Sequence, residues 1–454
     1  MVLFGFKNCL RLFGGIKILL RAEKGINMKG KVELMSPAGN FESMMAAIQG
    51  GCDSVYFGIE QLNMRARATM NFTIDDLPEI SRICKEHGIK SYITLNTIIY
   101  DHDINLMKSI VEEAGRCGID AIIAADHAVM QIAKKNKVAV HISTQANVTN
   151  VETVEFYSAF ADVMVLSREL SMQQMKHICD TIKKENITGP SGNLVKIEVF
   201  AHGALCMAVS GKCYISLHTQ NASANRGACI QNCRRKYKVV DIEDGHELEL
   251  DNEYIMSPKD LCTIPFIDNL IETGVSILKL EGRGRAPEYV KTVTACYREA
   301  IDSYNDGTLT AEKKLEWMNR MGETYNRGFW GGYYLGQELG EWTNSSGSKA
   351  TTKKIYIGKG NNYFSKSGIA EFLIEAYGVS VGDRVMVISS KTGVTETVIT
   401  SLHVNEEGEK ESAVKGDFCA FPLDVPIRTS DKLYKIVESE NANANTPVNT
   451  IASW

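Results

Sequence analysis

Four of the twelve cysteines of this chain lie in one short segment, a spacing that could bind a metal ion or cluster. They are Cys206, Cys213, Cys229 and Cys233, and the basic run 234–236 follows directly. Thiolate sulfur suits both zinc and iron–sulfur clusters. Structural zinc usually uses two closely spaced cysteine pairs, and only Cys229–Cys233 has that spacing, so the irregular intervals favour iron–sulfur. Four unliganded thiols are the alternative.

The remaining cysteines occur singly, mostly within apolar patterns where a free thiol packs as a small hydrophobe. The sequence shows no secretory signal with a small-residue cleavage site. We therefore expect a cytoplasmic, reducing compartment, in which a cysteine cluster is more often a metal or catalytic site than a disulfide framework.

Composition is that of a globular protein, with 454 residues, 44% hydrophobic and 23% charged residues and a formal net charge of -5. This length predicts two or three structural units. The slight negative charge means that any surface for a nucleic acid must be local.

Strand-like and helical patterns alternate from residue 32 onward, which predicts a parallel sheet with right-handed crossovers. Eight runs match the strand count of a TIM-like (β/α)8 barrel, with an open doubly wound sheet as the alternative. The runs are 32–39, 54–59, 91–99, 121–126, 139–145, 162–167, 196–205 and 276–283.

Polar side chains follow these runs, where the active site of such a barrel forms. Each alone could be a cap or loop residue, but together they predict a mouth suited to an anionic ligand. The candidates are Ser36, Asn40, Asn63, Arg65, Asn96, Asp126, Gln145, Asn147, Arg168, His202, Lys279, Glu281 and Arg283.

The ends of the chain differ from its middle. Residues 1–27 are apolar and basic, and they fit an amphipathic helix on a membrane surface or an extension ahead of a natural start at Met28. They are too interrupted by charge to span a bilayer, so we expect no stable membrane association. The predicted division is an extension 1–27, a barrel 28–340 with its cysteine loop 202–239, a small antiparallel β-barrel 341–440 and a flexible tail 441–454.

Aromatic and basic residues interleave before the second domain. Such residues hold unpaired RNA bases and phosphates, although an aromatic hairpin packed at a domain interface has the same composition. They are Arg327, Phe329, Trp330, Tyr333 and Tyr334.

The stretch from Glu198 to Ser216 resembles the signature of the collagenase-like peptidase family U32. Similar blocks occur at 33–59, 63–66, 225–237, 256–262 and 278–290, so the resemblance covers roughly residues 30–340. The fixed signature positions are filled by Glu198, Phe200, Gly203, Ala204, Leu205, Cys206, Gly211, Cys213, Ile215 and Ser216.

The resemblance implies a 4Fe–4S cluster held by the four cysteines and hydroxylation without molecular oxygen. One branch of the family hydroxylates the wobble uridine of tRNA with prephenate as donor, another modifies an rRNA cytidine, and a third acts in quinone synthesis as a heterodimer. The run Cys233–Tyr237 and the C-terminal extension resemble the tRNA branch. A tRNA partner is therefore expected, and a partner protein or a second copy of the chain stays open.

We assign roles to the mouth residues on this basis. We expect four cations to bind a carboxylate or phosphate: Arg65, Arg168, Lys279 and Arg283. Glu198 and Glu281 are expected to orient these cations or to move a proton. The alternative is that all of these residues form a buried salt-bridge layer. Cys262 is the expected substitute cluster ligand.

Two other functions remain open. A peptidase needs a nucleophile with a base, or a metal-bound water, and no such motif or Cys–His pair is legible. The other is a non-catalytic iron–sulfur scaffold.

Overall fold

The computed structural model describes residues 32–67, 71–237, 254–336, 340–344 and 347–440. The predicted extension 1–27 and tail 441–454 lie outside the described residues. Within the described ranges, no helix combines the length and apolar character that crossing a membrane requires.

Eight parallel strands close into a barrel, because the first strand pairs with the second and also with the last, and the seventh pairs with the sixth and the last. The predicted TIM-like barrel is confirmed and the open sheet is wrong. The barrel strands are β1 (Glu33–Pro37), β2 (Ser54–Phe57), β3 (Lys90–Leu95), β4 (Ala121–Ala124), β5 (Ala139–Ile142), β6 (Val163–Val165), β7 (Lys196–Ala204) and β9 (Ile277–Leu280).

Two short strands that the sequence did not reveal extend the barrel beside the end of β7. β8 (Asp260–Cys262) runs antiparallel to β7, and β10 (Phe329–Trp330) runs parallel to β8. Segments of two or three residues are too short to show a periodic pattern.

Helices follow the barrel strands, and polar caps and glycines mark some of their ends. Asn40 caps α1 by accepting a hydrogen bond from the Ser43 amide at 2.8 Å, and Gly118 ends α3 with a left-handed φ of 72°. The helices are α1 (Phe41–Gln49), α2 (Leu77–Glu86), α3 (Ile104–Cys117), α4 (His127–Lys135), α5 (Val151–Ser158), α6 (Met172–Glu185), α7 (Ile215–Gln220), α8 (Ile267–Glu272), α9 (Pro287–Asn305) and α10 (Ala311–Gly322).

The C-terminal region is antiparallel, as predicted. Its seven-stranded sheet has the order β15-β14-β19-β11-β12-β18-β16, and β13 pairs with β17. Among the described residues no ladder joins β15 to β16, so closure into a barrel is not seen in these pairings. The strands are β11 (Thr352–Phe364), β12 (Ile369–Ile374), β13 (Gly378–Ser380), β14 (Arg384–Ser389), β15 (Gly393–Val398), β16 (His403–Val404), β17 (Ser412–Val414), β18 (Phe418–Pro422) and β19 (Lys432–Glu438).

The antiparallel sheet packs on the barrel helices α1 and α9. The Gln49 side chain donates to the Thr392 carbonyl at 2.6 Å and accepts from the Val394 amide at 2.9 Å, while Lys291 donates to the Val394 carbonyl at 2.7 Å. Val394 also belongs to the same hydrophobic core as the barrel helices. The sheet is therefore held against one side of the barrel by packing as well as by polar contacts.

Candidate functional site

A cavity of about 420 Å³ opens at the C-terminal ends of the barrel strands. Its wall is formed by side chains that follow β2, β3, β5, β6, β7 and β9, and by the cysteine segment 204–234. Parallel strands deliver their carboxyl ends to one rim, which explains why residues so distant in sequence meet here.

All four cysteines of the segment line this cavity. Cys206 is exposed and Cys213, Cys229 and Cys233 are partly buried. Burial raises the pKa of the Cys233 thiol; the charge of Arg234 opposes this effect, and the thiols of the other three cysteines add to it, so all three lie near Cys233. In the parts of the chain that the structure describes, no three His, Cys, Asp or Glu side chains are grouped to hold a metal ion. A cluster of four irons and four sulfides spreads its thiolate ligands more widely than a single ion does.

Close backbone packing fixes the cysteine segment to the barrel. Gly227 has a φ of 80°, and a Cβ there would lie 2.2 Å from the carbonyl oxygen of Asn63. Arg226 forms an ion pair with Asp103 and donates to the Ile98 carbonyl at 2.7 Å. The segment is therefore seated on the loops that follow β2 and β3.

Arg234 ties the two ends of the cysteine segment together. Its guanidinium donates to the Leu205 carbonyl at 2.6 Å and to the Pro258 carbonyl at 2.7 Å. Burial lowers the pKa of Arg234. Arg234 lines the cavity, whereas the next two residues, Arg235 and Lys236, are exposed. The basic run after Cys233 thus divides into one internal cation and two surface cations.

Positive charge dominates the cavity lining. Glu281 is the single acidic residue among the described residues that line it, against seven basic ones. Such a lining favours an anionic ligand or several phosphates. The basic residues are Arg65, Arg168, Arg234, Lys279, Arg283, Arg285 and Arg327.

Glu281 is the counterion of two of these cations. Arg65 Nη2 lies 3.0 Å from Glu281 Oε1, and the Tyr56 hydroxyl donates to Oε2 at 2.9 Å. Burial alone would raise the pKa of Glu281, but the charges of Arg65 and Arg283 outweigh it and hold the pKa at about 2. Glu281 is therefore ionised at neutral pH and pairs with Arg65.

Arg283 offers an unused donor in the buried wall of the cavity. Its Nη1 donates to Thr94 Oγ1 at 2.8 Å and to Asn63 Oδ1 at 3.1 Å, while its buried Nε has no partner among the described residues. Thr144 Oγ1, also in the lining, is likewise buried without a described partner. Asn63 does not line the cavity itself, so it positions Arg283 instead of meeting a ligand.

Lys279 and Arg168 are held over aromatic faces. The Lys279 ammonium lies 2.7 Å from Glu198 Oε1 and 4.4 Å from the Tyr56 ring centre. Arg168 lies 4.8 Å from the Phe200 ring centre and donates to the Ala204 carbonyl at 2.9 Å. Glu198 is fully buried beneath Lys279 and is absent from the lining.

Asn96 and Gln145 form a polar pair on the opposite wall. Asn96 Nδ2 donates to Gln145 Oε1 at 3.1 Å and to Ser143 Oγ at 3.2 Å. These side chains give the cavity neutral donors and acceptors opposite its cations.

The prediction that His202 binds the ligand is wrong. A register shift in the pairing of β7 with β9 lies between Phe200 and His202, and it turns the His202 ring among Tyr289, Tyr297 and Phe329. Burial lowers the pKa of His202 to about 3, so it is a neutral core residue. It is absent from the cavity lining.

Cys262 is not placed to be a substitute ligand. It is fully buried on β8 outside the cavity lining, and burial raises the pKa of its thiol to about 12.

Most of the predicted aromatic group near residue 330 packs inside the protein. Trp330, Tyr334 and Arg327 are buried, and Phe329 lies against His202. Tyr333 is the member that stays exposed, at 37% of its surface. The packed-hairpin alternative therefore describes this segment better than a stacking surface for RNA.

Sequence reasoning missed Tyr56, Phe200, Arg285 and Tyr325 in the cavity lining. Tyr56 and Phe200 lie within predicted strands, where alternation could have placed them inside the barrel. Arg285 lies 3.7 Å from the Tyr325 ring centre, a contact made only by the fold.

Residues 39–344 match the model of peptidase family U32. The chain is 53% identical over 408 residues to a collagenase of Porphyromonas gingivalis, covering 90% of this chain and 98% of that protein. It is 33% identical over 304 residues to tRNA hydroxylation protein P1 of Bacillus subtilis, covering 65% and 69%. It is also 33% identical over 275 residues to a 23S rRNA 5-hydroxycytidine synthase of Escherichia coli, covering 60% and 40%.

Proposed function

The chain belongs to peptidase family U32, and from this premise we propose that it is an oxygen-independent RNA hydroxylation protein. The wobble uridine of tRNA is the proposed substrate, and a prephenate-type carboxylate is the proposed hydroxyl donor. The observation that carries the proposal is that four cysteines and seven cations line one cavity at the barrel mouth.

The chemistry of the four cysteines supports the proposal of an iron–sulfur cluster. They are soft thiol donors on one cavity wall, and the proposed ligands are Cys206, Cys213, Cys229 and Cys233. Arginines beside them would offset the negative charge that thiolates bring. When bound, a 4Fe–4S cluster would supply one-electron chemistry next to the cavity.

The cations of the mouth are proposed to bind the anionic groups of the reactants. The Arg168, Lys279 and Arg283 side chains line the cavity from two different strands, β6 and β9. Charge-assisted hydrogen bonds from such groups are short and directional, so they would orient a carboxylate or phosphate. The Tyr56 and Phe200 rings between them offer apolar faces for a planar ring.

An unpaired base suits this cavity in energetic terms. Anticodon bases are already unpaired in the free tRNA, so placing one in a pocket costs only a modest unstacking free energy. The exposed Arg235 and Lys236 beside the rim would contact the phosphate backbone.

Peptide hydrolysis is the second candidate, because the Porphyromonas gingivalis relative is named a collagenase. The cavity supports it less well. No histidine is among the described residues that line it, and Glu281, with a pKa of about 2, is a poor general base. A non-catalytic cluster scaffold would leave the row of cations unexplained.

The test is the nucleoside profile of tRNA from a strain that lacks this protein. We expect loss of a hydroxyuridine-derived nucleoside, measured by liquid chromatography and mass spectrometry. The wild-type gene and the Cys262→Ala variant should restore it. Complementation should fail for Cys206→Ala, Cys213→Ala, Cys229→Ala, Cys233→Ala, Arg168→Ala and Lys279→Ala.

Measuring the protein amount and the iron content of each variant separates cluster ligands from residues that bind the reactants. Arg168→Ala and Lys279→Ala should keep wild-type iron, since neither residue is a thiol donor. An unchanged nucleoside profile in the deletion strain, together with cleavage of gelatin by the pure protein, would show that the peptidase candidate is right.

A further inference from the structure

A charged and polar layer lies inside the barrel directly beneath the cavity. Such interiors are usually filled by bulky apolar side chains. Here Glu198 on β7 is fully buried and Lys279 on β9 lines the cavity above it. His141 on β5 is 6% exposed. A buried ion pair contributes little net stability, so the layer calls for a role other than holding the barrel together.

The two oxygens of Glu198 have unequal surroundings. Oε1 lies 2.7 Å from the Lys279 ammonium. Oε2 is buried with no partner and lies 3.9 Å from His141 Nδ1, which is also buried with no partner among the described residues. That distance is too long for a hydrogen bond.

A proton on Glu198 would satisfy both of these atoms. A protonated carboxyl has a hydroxyl to donate, and a neutral imidazole has one nitrogen that accepts. Burial lowers the pKa of His141 to about 3, so its ring stays neutral and can accept. A small side-chain rotation would then close the gap.

We propose that Glu198 is a proton-accepting counterion of Lys279: when an anion binds in the cavity, Glu198 takes up a proton from solvent and shares it with His141, which leaves the Lys279 ammonium to the anion. This rests on the proposed binding of an anionic group at the mouth. His141 is a positioning residue, because it acts through Glu198.

The surrounding charges favour this exchange. Burial raises the pKa of Glu198, and the positive charge of Lys279 opposes that effect. An anion that draws on the Lys279 charge weakens the opposition, so protonation becomes easier. The other ionisable groups that act on Glu198 or His141 are Glu33 on β1, Lys90 and Tyr92 on β3, and Lys196 on β7.

The sign of the pH dependence follows by linkage. If anion binding is coupled to proton uptake, the affinity for the anion rises as pH falls. Uptake of one proton per anion gives about a tenfold change in affinity per pH unit.

The experiment uses the full chain, purified without oxygen, with sulfate as probe because sulfate does not titrate near neutral pH. Calorimetry in buffers of different ionisation enthalpy should show uptake of about one proton per sulfate. Infrared difference spectra should show the carbonyl band of a protonated carboxyl on binding. Glu198→Gln should lose that band, and the control Glu112→Gln, at an exposed position on α3, should keep it.

The outcomes separate the two proposals. Sulfate that binds without proton uptake and without the carboxyl band overturns this inference and leaves the anion site standing. Sulfate that does not bind wild-type protein overturns the anion site and this inference with it. His141→Leu should bind sulfate with weaker pH dependence than wild type, because the acceptor for the new proton is gone.

Discussion

Glu281 and Glu198 are both buried carboxyls of this barrel, and their surroundings shift their pKa values in opposite directions. Glu281 meets the charges of Arg65 and Arg283, which hold its pKa at about 2 against the effect of burial. Glu198 meets one lysine, and burial prevails, so its pKa is raised. The count of neighbouring cations therefore decides in which direction the pKa of each carboxyl moves.

The cysteine assignment gives a prediction at the residue scale. Protein purified without oxygen should contain about four iron and four sulfide per chain, with a brown colour that fades in air. Replacing any one of the four segment cysteines by alanine should remove most of the visible absorption, because each is a proposed ligand of the cluster. Iron analysis and absorption spectra measure this.

Cys262→Ala is the matched control for that prediction. Its thiol is buried outside the cavity, so this variant should keep its iron and its colour. Stoichiometric zinc without iron in anaerobic wild-type protein would contradict the cluster assignment.

At the scale of elements, the segment between β7 and β8 is the part of the barrel that differs from a plain strand–helix repeat. It carries the short helix α7, the four cysteines and the close contact of Gly227 with Asn63. Asn63 in turn accepts from Arg283. The position of the cysteines and the position of one central cation are thus coupled through a single loop contact.

Gly227→Ala tests this coupling. A Cβ would overlap the Asn63 carbonyl, so the segment must move away from the barrel, and we expect lower iron content as well as lower stability. The control is Gly192→Ala, which has a φ of 79° with nothing near its added Cβ.

The control should cost only the left-handed strain of about 1–2 kcal/mol. Gly227→Ala should cost more in urea unfolding, because steric overlap adds to that strain. Equal costs and equal iron contents in the two variants would show that the loop contact is unimportant.

At the scale of the whole molecule, the chain carries a net negative charge, but the cavity at the barrel mouth is lined mainly by positive charge. The formal net charge is -5, yet seven basic residues and one acidic residue line the cavity within the described ranges. The antiparallel sheet packs on the barrel through α1 and α9. A polyanion would therefore be attracted to one region of the molecule and repelled by much of the rest.

Salt dependence of tRNA binding tests this charge distribution. Binding should weaken steeply with salt, because phosphate contacts release counterions. Arg235→Ala and Lys236→Ala, next to Cys233, should each reduce the slope of log affinity against log salt by about one. Lys108→Ala, at an exposed site on α3, should leave the slope unchanged. Fluorescence anisotropy at several salt concentrations measures these slopes. A slope that none of the three substitutions changes would contradict the prediction.

The amino-acid sequence by itself determined the barrel and the polar rim at the ends of its strands. Strand-like runs alternate with capped helices, and both periods are local properties of the chain, so eight strands and a polar rim could be predicted. The four cysteines could be predicted as a candidate metal site because residue type and spacing are properties of the sequence alone. The antiparallel C-terminal region followed from the same local patterns.

Tertiary structure decided which of the candidate side chains meet. His202 and Arg168 both follow barrel strands, but the register shift after Phe200 turns His202 into the core, and only strand pairing reveals such a shift. The ion pair of Glu198 with Lys279 joins residues far apart in sequence. Burial and charge act through space. Only the folded chain therefore shows that His202 is buried, that Arg234 lines the cavity, and that the pKa values of Glu198 and Glu281 shift in opposite directions.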